Sequence, residues 1–275
     1  MTRHESITSP ANPRVREAVR LREADARRAT GLTLVDGLRE IDRAVASGIE
    51  ITEAFLDGEA PADAARDGLV ATLESRGTRV CVLTPRPFEK IAFGRRNEGL
   101  VAVARFRATG LDGFTVAVDR PVFVVEGVEK PGNLGAILRT CDAAGIAGVI
   151  ACGSGTDPAN PAAIRASLGT VFALPLAVAS TAEAIAWCGR ERRRVIAALP
   201  KGAQLWHEAP LTGPTAIVLG SEAVGLSDDW QQAADAGTIV FETIRLPMQG
   251  IADSLNVSAT AAVLAYESLR QATLP

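Results

Sequence analysis

Only two histidines and four cysteines occur in the 275 residues, and no two cysteines form a CxxC pair. That scarcity argues against a thiol-rich zinc site and against a disulfide framework. Cys81, Cys141, Cys152 and Cys188 are instead expected to be reduced and mostly buried. No stretch approaches the roughly 20 apolar residues of a membrane-spanning helix. The opening residues, MTRHESITSPANPR, lack the apolar segment of a signal peptide. A cytoplasmic protein with no membrane partner and no metal is therefore expected. Two nucleotide-binding fingerprints are missing as well. The glycine clusters 153-GSGTDP-158 and 220-GSEAVG-225 fit neither GxGxxG nor GxxxxGK[ST], so neither a dinucleotide-binding Rossmann domain nor a P-loop is supported. There is no low-complexity run and no internal repeat.

A net charge of −3 and a pI near 5.6 argue against a protein that coats nucleic acid. The charge is uneven, however. Residues 1–30 hold seven arginines (3, 14, 16, 20, 22, 27 and 28) against four acids (5, 17, 23 and 25). A local basic face binds phosphates even on an acidic molecule, although the same run also suits an ordinary solvated helix surface.

Hydrophobic residues make up 47% of the chain, enough for a proper core. The pattern predicts an Arg-rich helix over 13–29, a strand at 32–37, a helix at 37–47 and a strand at 51–56. A helix at 60–76 and strands at 79–83 and 100–106 complete a first α/β layer, residues 1–106. Residues 107–120 look like a connector. From 121 to 275 strands and helices alternate: strand 121–128, helix 132–144, strand 147–152, helix 161–168, strand 171–178, helix 181–191, strand 194–199, strand 215–220, strand 238–246, and a helix from 254. Nearly continuous Val/Ile/Leu/Ala strands imply a mainly parallel sheet covered on both faces.

Three segments of this second region carry the chemistry: 131-PGNLGAILRTCDAAG-145, 216-AIVLGSEAVGLS-227 and 245-RLPMQGIADSLNVSATAAV-263. In the first, Pro131 suits a first helical turn, and Leu134, Ile137, Leu138 and Cys141 form a core stripe. Arg139 falls beside that stripe, either as a snorkelling neighbour or as a site residue. In the second, an apolar strand runs into Gly220, where backbone can adopt unusual φ or approach a ligand closely. Glu222 follows, as a capping acid or a site carboxylate. In the third, Pro247 ends a strand and D-S-L-N opens a helix with capping side chains, so Ser254 and Asn256 have a structural reading too.

The three segments in this order resemble the motifs of the SpoU/TrmH branch of the SPOUT methyltransferases, which methylate RNA ribose 2′-hydroxyls with S-adenosylmethionine. The resemblance rests on N-x-x-A-I-x-R-T at Asn133–Thr140, on G-x-E-x-x-G at Gly220–Gly225 and on S-L-N-V-S at Ser254–Ser258. Gln249 and Ile251 depart from relatives that often carry small residues there. The resemblance implies a trefoil-knotted C-terminal domain (121–275), an exception to the avoidance of knots. It also implies an active site of Asn133, Arg139, Glu222, Ser254 and Asn256, and a cofactor pocket of Leu199, Leu219, Gly220, Leu246, Met248 and Leu255. Residues 1–106, with I-T-S-x-x-N-P-x-V-R and L-V-D-G-x-R-E, resemble the substrate-binding domain of these enzymes. Arg16, Arg20 and Arg27 of this domain, together with Arg165 of the second region, are the expected RNA contacts, with ribosomal RNA favoured over transfer RNA. A homodimer is implied, through Ala259, Ala262, Val263, Tyr266 and Leu269 of the last helix. The competing readings are a base-methylating SPOUT enzyme and a non-catalytic RNA-binding protein with a vestigial domain.

Overall fold

The computed structural model describes residues 4–93 and 98–273. The first half runs β1 (Glu5–Ile7), α1 (Pro13–Arg20), α2 (Ala24–Thr30), β2 (Leu32–Asp36), α3 (Leu38–Ala46), β3 (Ile51–Asp57), α4 (Ala64–Ser75), β4 (Arg79–Leu83), α5 (Pro85–Ile91) and β5 (Leu100–Arg105). The second half runs β6 (Val122–Glu126), α6 (Pro131–Ala143), β7 (Gly148–Cys152), α7 (Pro161–Ala166), β8 (Leu176–Ala179), α8 (Thr181–Arg190), β9 (Arg194–Ala198), β10 (Gln204–Leu205), β11 (Thr215–Leu219), α9 (Asp229–Asp235), β12 (Phe241–Arg245) and α10 (Val257–Thr273). No helix among the described residues is long and apolar enough to cross a membrane.

Two compact units form. The first comprises residues 1–107 together with 159–173. Its sheet has the order β1-β4-β3-β5-β2, in which β5 runs antiparallel to both neighbours. The Arg-rich stretch is two helices, where the sequence pattern predicts one. The break falls at Leu21–Glu23, where the Arg27 guanidinium takes the carbonyls of Leu21 (3.0 Å) and Arg22 (2.7 Å). Arg27 is therefore buried, at 4% exposure, while Arg16 and Arg20 stay exposed. Its expected role as an RNA contact is corrected by this geometry: the group that would meet phosphate is holding a helix junction. Arg22 is likewise engaged, donating to the carbonyls of Lys90, Ile91 and Ala92 at the end of α5.

The second unit holds residues 108–158 and 174–275. Its seven strands are all parallel, in the order β10-β12-β9-β11-β6-β7-β8. β6 (VFVVE) and β11 (TAIVL) are buried at every position, as strands covered on both faces must be. The stretch 107–120 is more than a connector. Phe114 is buried against Trp187 with ring centroids 5.4 Å apart. Arg193, itself 4% exposed, donates to the carbonyls of Arg120 and Ala117. Conversely α7, whose sequence pattern groups it with the second region, packs on β2 of the first unit. Its Arg165 faces inward, with Nη1 3.1 Å from Asp36 Oδ2 and 2.8 Å from the Phe93 carbonyl. That engagement replaces the open RNA contact expected of Arg165 with an internal clamp.

Arg27→Ala should lower the stability of the protein by about 2–4 kcal/mol, because two carbonyls lose a charged donor. Urea unfolding measures this. An unchanged midpoint combined with weakened RNA affinity would return Arg27 to the RNA-facing surface.

Candidate active site

Three segments that follow neighbouring strands of the second sheet close around one cavity of about 260 Å³. They leave the carboxyl ends of β9 (Ala198–Pro200), β11 (Leu219–Leu226) and β12 (Leu246–Val257). Ligands of open parallel sheets bind at this end, where the strand order reverses. In this sheet the order reverses at β6, beside the β11 strand of the cavity, since the chain builds β7 and β8 on one side of β6 and then returns to build β9, β11 and β12 on the other. Leu199, Leu219, Leu246, Met248 and Leu255 supply apolar wall, while Asp253, Ser254 and Thr260 supply polar groups. All six residues expected at the cofactor pocket line this cavity, as do Glu222 and Ser254.

The edge of the cavity is set by a tight turn. Ser221 and Gly225 exchange two backbone hydrogen bonds of 3.0 Å, and Gly225 lies in the left-handed region at φ +76°. A Cβ on Gly220 would come within 2.3 Å of the Gly225 carbonyl carbon. The close approach anticipated at Gly220 is therefore made to the chain's own backbone. Behind the turn, the Glu126 carboxylate at the end of β6 accepts from Ser227 N (3.0 Å), Ser227 Oγ (2.8 Å), Trp230 Nε1 (3.2 Å) and Thr181 Oγ1 (2.7 Å). It is 7% exposed and ties the far end of the loop to the sheet.

At the mouth of the cavity Glu222 gathers side chains from three segments. Its Oε1 accepts from Asn133 Nδ2 at 2.7 Å and from Asn256 Nδ2 at 2.8 Å, and its Oε2 pairs with Lys130 Nζ at 2.7 Å. Asn256 Nδ2 also lies 3.3 Å from Asn133 Oδ1, and its own Oδ1 accepts from Ser258 N and Oγ at the start of α10. The Lys130 ammonium, with help from Asn133, holds the Glu222 carboxyl below the usual range, and Glu222 in turn pushes Lys130 up. Asn133, Glu222 and Asn256 thus meet. Arg139 does not join them. It is exposed on α6 and makes no hydrogen bond or ion pair among the described residues. Six residues beyond Asn133, it stands about 9 Å along the helix and roughly 240° around it. Ser254 lines the cavity from an exposed position, without a hydrogen-bond partner among the described residues.

Lys130 and Glu126 are functional neighbours that the sequence reading misses. Glu126 has a signal: a carboxylate ending a run of four apolar strand residues needs donors. Lys130 has none beyond its place one residue before the helix.

The profile described as the SpoU rRNA Methylase family matches residues 120–266. The chain belongs to the SpoU methylase family. The profile of an MRM3-like substrate binding domain matches residues 12–102. Among relatives, a 23S rRNA (uridine(2479)-2′-O)-methyltransferase of Streptomyces viridochromogenes is 30% identical over 254 residues, covering 89% of this chain and 85% of that protein. A crystal structure of an RNA 2′-O ribose methyltransferase is 38% identical with a TM-score of 0.84, covering 98% of this chain and all of that one. The SpoU methyltransferase AviRb from Streptomyces viridochromogenes, in complex with the cofactor AdoMet, is 28% identical with a TM-score of 0.85, covering 96% and 99%. The mixed α/β architecture with a large parallel sheet is that of these SpoU enzymes, and S-adenosylmethionine is the cofactor of the family site.

Glu222→Ala should release Asn133, Asn256 and Lys130 together and lower turnover about 10²-fold, the scale of a misplaced positioning group. Cofactor affinity should fall less. Because Glu222 sits below its ordinary value, the contribution of the cluster is fully present above about pH 4.3. It is lost only as pH falls through the lower folded value. Turnover measured from pH 5 to 8 should therefore show no inflection that Glu222→Gln removes, and such an inflection would assign the carboxylate a proton-transfer role.

Proposed function

We propose that the protein transfers a methyl group from S-adenosylmethionine to a ribose 2′-hydroxyl of RNA, ribosomal RNA in particular. The observation that carries this reading is the convergence of Asn133, Glu222 and Asn256 at the mouth of the glycine-edged cavity. The names of the relatives and structural neighbours, RNA and 23S rRNA 2′-O-methyltransferases, support it.

The cavity suits the cofactor in kind: leucine and methionine walls for a flat apolar ring, backbone turns at its edge, and Asp253, Ser254 and Thr260 for polar groups. When bound, S-adenosylmethionine supplies a methyl already activated by a sulfonium. The chain must then align the hydroxyl and accept its proton. Glu222 and Lys130 lock the amides of Asn133 and Asn256, which orient the ribose. Arg139 contacts phosphate and the reacting hydroxyl. Exposed Arg16 and Arg20 contribute phosphate contacts. A cytoplasmic location accompanies a ribosomal RNA substrate.

The reading includes the trefoil knot, supported by one cavity walled by the segments that follow β9, β11 and β12. It also includes a homodimer. α10 packs on α6 and buries Ala261, Leu264, Ala265 and Ser268. Ala259 and Tyr266 are exposed and Ala262, Val263 and Leu269 half-buried. The stripe expected to meet a partner therefore lies outside the chain's own core. A two-fold interface there would bring Arg139, isolated from its own cluster, to the partner's site.

Labelling of total RNA with S-adenosylmethionine, followed by mapping of the methylated nucleotide, tests the activity. Methylation of a base, or none, would overturn it. Arg139→Ala and Glu222→Ala should each retain no more than about a hundredth of the activity alone. When unfolded together and refolded as mixed dimers, they should recover roughly a quarter of the activity, since half of the dimers are mixed and each holds one intact site. No recovery from a dimeric mixture would place Arg139 in its own chain's site, and a fully active monomer in light scattering would remove the dimer. Arg16→Ala with Arg20→Ala should weaken RNA binding and flatten its salt dependence. An unchanged salt slope would leave both as solvated surface.

A further inference from the structure

The first unit contains a second cavity, of about 530 Å³, that the methyl-transfer site does not use. It is lined by Gly37, Leu38, Arg39 and Glu40 at the start of α3, by Glu98 before β5, and by Arg165, Ala166 and Leu168. Its floor is Gly37, at φ +131°. A Cβ there would lie 2.2 Å from Glu40 Oε2 and 3.5 Å from Glu98 Oε2. Two carboxylates therefore converge over one glycine, and a side chain on that residue would displace that of Glu40.

The other carboxylates of this region have partners. Asp36 is held by Arg165 at 3.1 Å and by the Phe93 N–H at 2.7 Å. Glu98 Oε2 accepts the Leu38 N–H at 2.7 Å. Glu40 differs. It is 6% exposed, yet beyond its own amide its carboxylate has no hydrogen-bond or ion-pair partner among the described residues. An acid in the first turn of a helix is favourable by itself, and the bond to its own amide uses part of its capacity. A carboxylate offers about four lone-pair sites, and the remainder face the cavity beside a second carboxylate. A buried acid next to a like charge is unfavourable, so the arrangement suits a ligand that brings N–H donors.

We propose that this cavity binds one unpaired guanine of the RNA substrate. Unpaired bases are read by hydrogen bonds on their Watson–Crick and Hoogsteen edges. Guanine alone of the four bases offers two adjacent donors, N1–H and N2–H, to a carboxylate, with the acceptors O6 and N7 on its other edge. Adenine and cytosine place a ring acceptor beside their amino group, and uracil flanks its single N–H with carbonyls. The cavity supplies the matching groups: Glu40 and Glu98 for the donor edge, and the exposed Arg39 guanidinium for O6 and N7, the commonest pairing of arginine with guanine. Leu38, Ala166 and Leu168 provide apolar contact for the ring. The proposal rests on the RNA-methyltransferase reading and adds a base-reading pocket in the unit that does not carry the chemistry.

The test uses the full-length protein and single-stranded pentaribonucleotides with adenosine at the four outer positions. Binding is followed by fluorescence anisotropy, with guanosine, inosine or adenosine at the centre. Guanosine should bind about 10-fold or more tightly than adenosine, and inosine, which lacks only the N2 amine, should lose most of that advantage. E40Q and E98Q should each erase the preference while leaving S-adenosylmethionine affinity unchanged by calorimetry. Equal affinities for the three pentamers, or a preference that survives both substitutions, would overturn the pocket. If E40Q does not fold, E98Q and the inosine comparison on the unaltered protein still decide. Transfer of labelled methyl to total RNA is measured on the same preparation. Transfer without guanine preference removes only this inference, whereas guanine preference without transfer removes only the methyltransferase reading.

Discussion

The carboxylate of Glu222 holds together parts of the chain that are far apart in sequence. It accepts from Asn133 at the start of α6 and from Asn256 before α10, and it pairs with Lys130. Each of these side chains is short or tethered near a helix start, so its position follows from where its helix begins. Where α6 begins is set by Pro131 in the first turn, and where α10 begins by Asn256, whose Oδ1 accepts from Ser258 N and Oγ. The cluster therefore couples the geometry of two helix N-termini to one loop. Any displacement of the Gly220–Gly225 turn moves all of them at once.

That turn is held from two directions. Its own backbone closes it through the paired Ser221–Gly225 hydrogen bonds, and Glu126 fixes its exit through Ser227 and Trp230. Glu126 and Glu222 are both carboxylates within one site, yet they have different tasks. Glu126 is buried among neutral donors and shapes the scaffold. Glu222 faces the cavity and is paired with a lysine. Rigid support behind the contacting residues is what keeps a binding constellation in productive geometry.

The strands are legible in the sequence because they depend on local pattern, whereas the meeting of Asn133, Glu222 and Asn256 comes only from the resemblance of their segments to the family motifs. Valine and isoleucine runs specify buried parallel strands, and the glycines of 220-GSEAVG-225 mark a turn, Gly220 by lack of space for a side chain and Gly225 by its positive φ. What is not legible depends on where a long side chain ends. Arg27, in the basic stretch 1–30, and Arg165 carry a charge that suits RNA, but their guanidinium groups terminate on backbone carbonyls and on Asp36 inside the first unit. Composition records the charge of an arginine and not the atoms it reaches. The same limit hides Lys130, whose place next to Glu222 arises only when residues 130 and 222 are folded together. The grouping of α7 with the first unit is equally non-local, since nothing within 159–173 names β2 as its partner.

The charge state of the cluster narrows what its members do in catalysis. A carboxyl held below its ordinary value by an ammonium and two amides is a weaker base than free glutamate, so Glu222 is suited to positioning rather than to taking the ribose proton. The thiols offer no alternative: burial pushes Cys141 far up and Cys152 and Cys188 to about 12, which keeps them protonated and inert. Of the two histidines, His4 pairs with Glu74 and His207 meets Trp206 edge to face. Neither lines the cavity at the ends of β9, β11 and β12. Among the described residues the site thus holds alignment and hydrogen-bonding groups, and neither a histidine nor a cysteine lines it. For a methyl donor already activated by its own sulfonium, such a site has most of its work in orientation. That is consistent with a cluster whose strongest contacts join its own members.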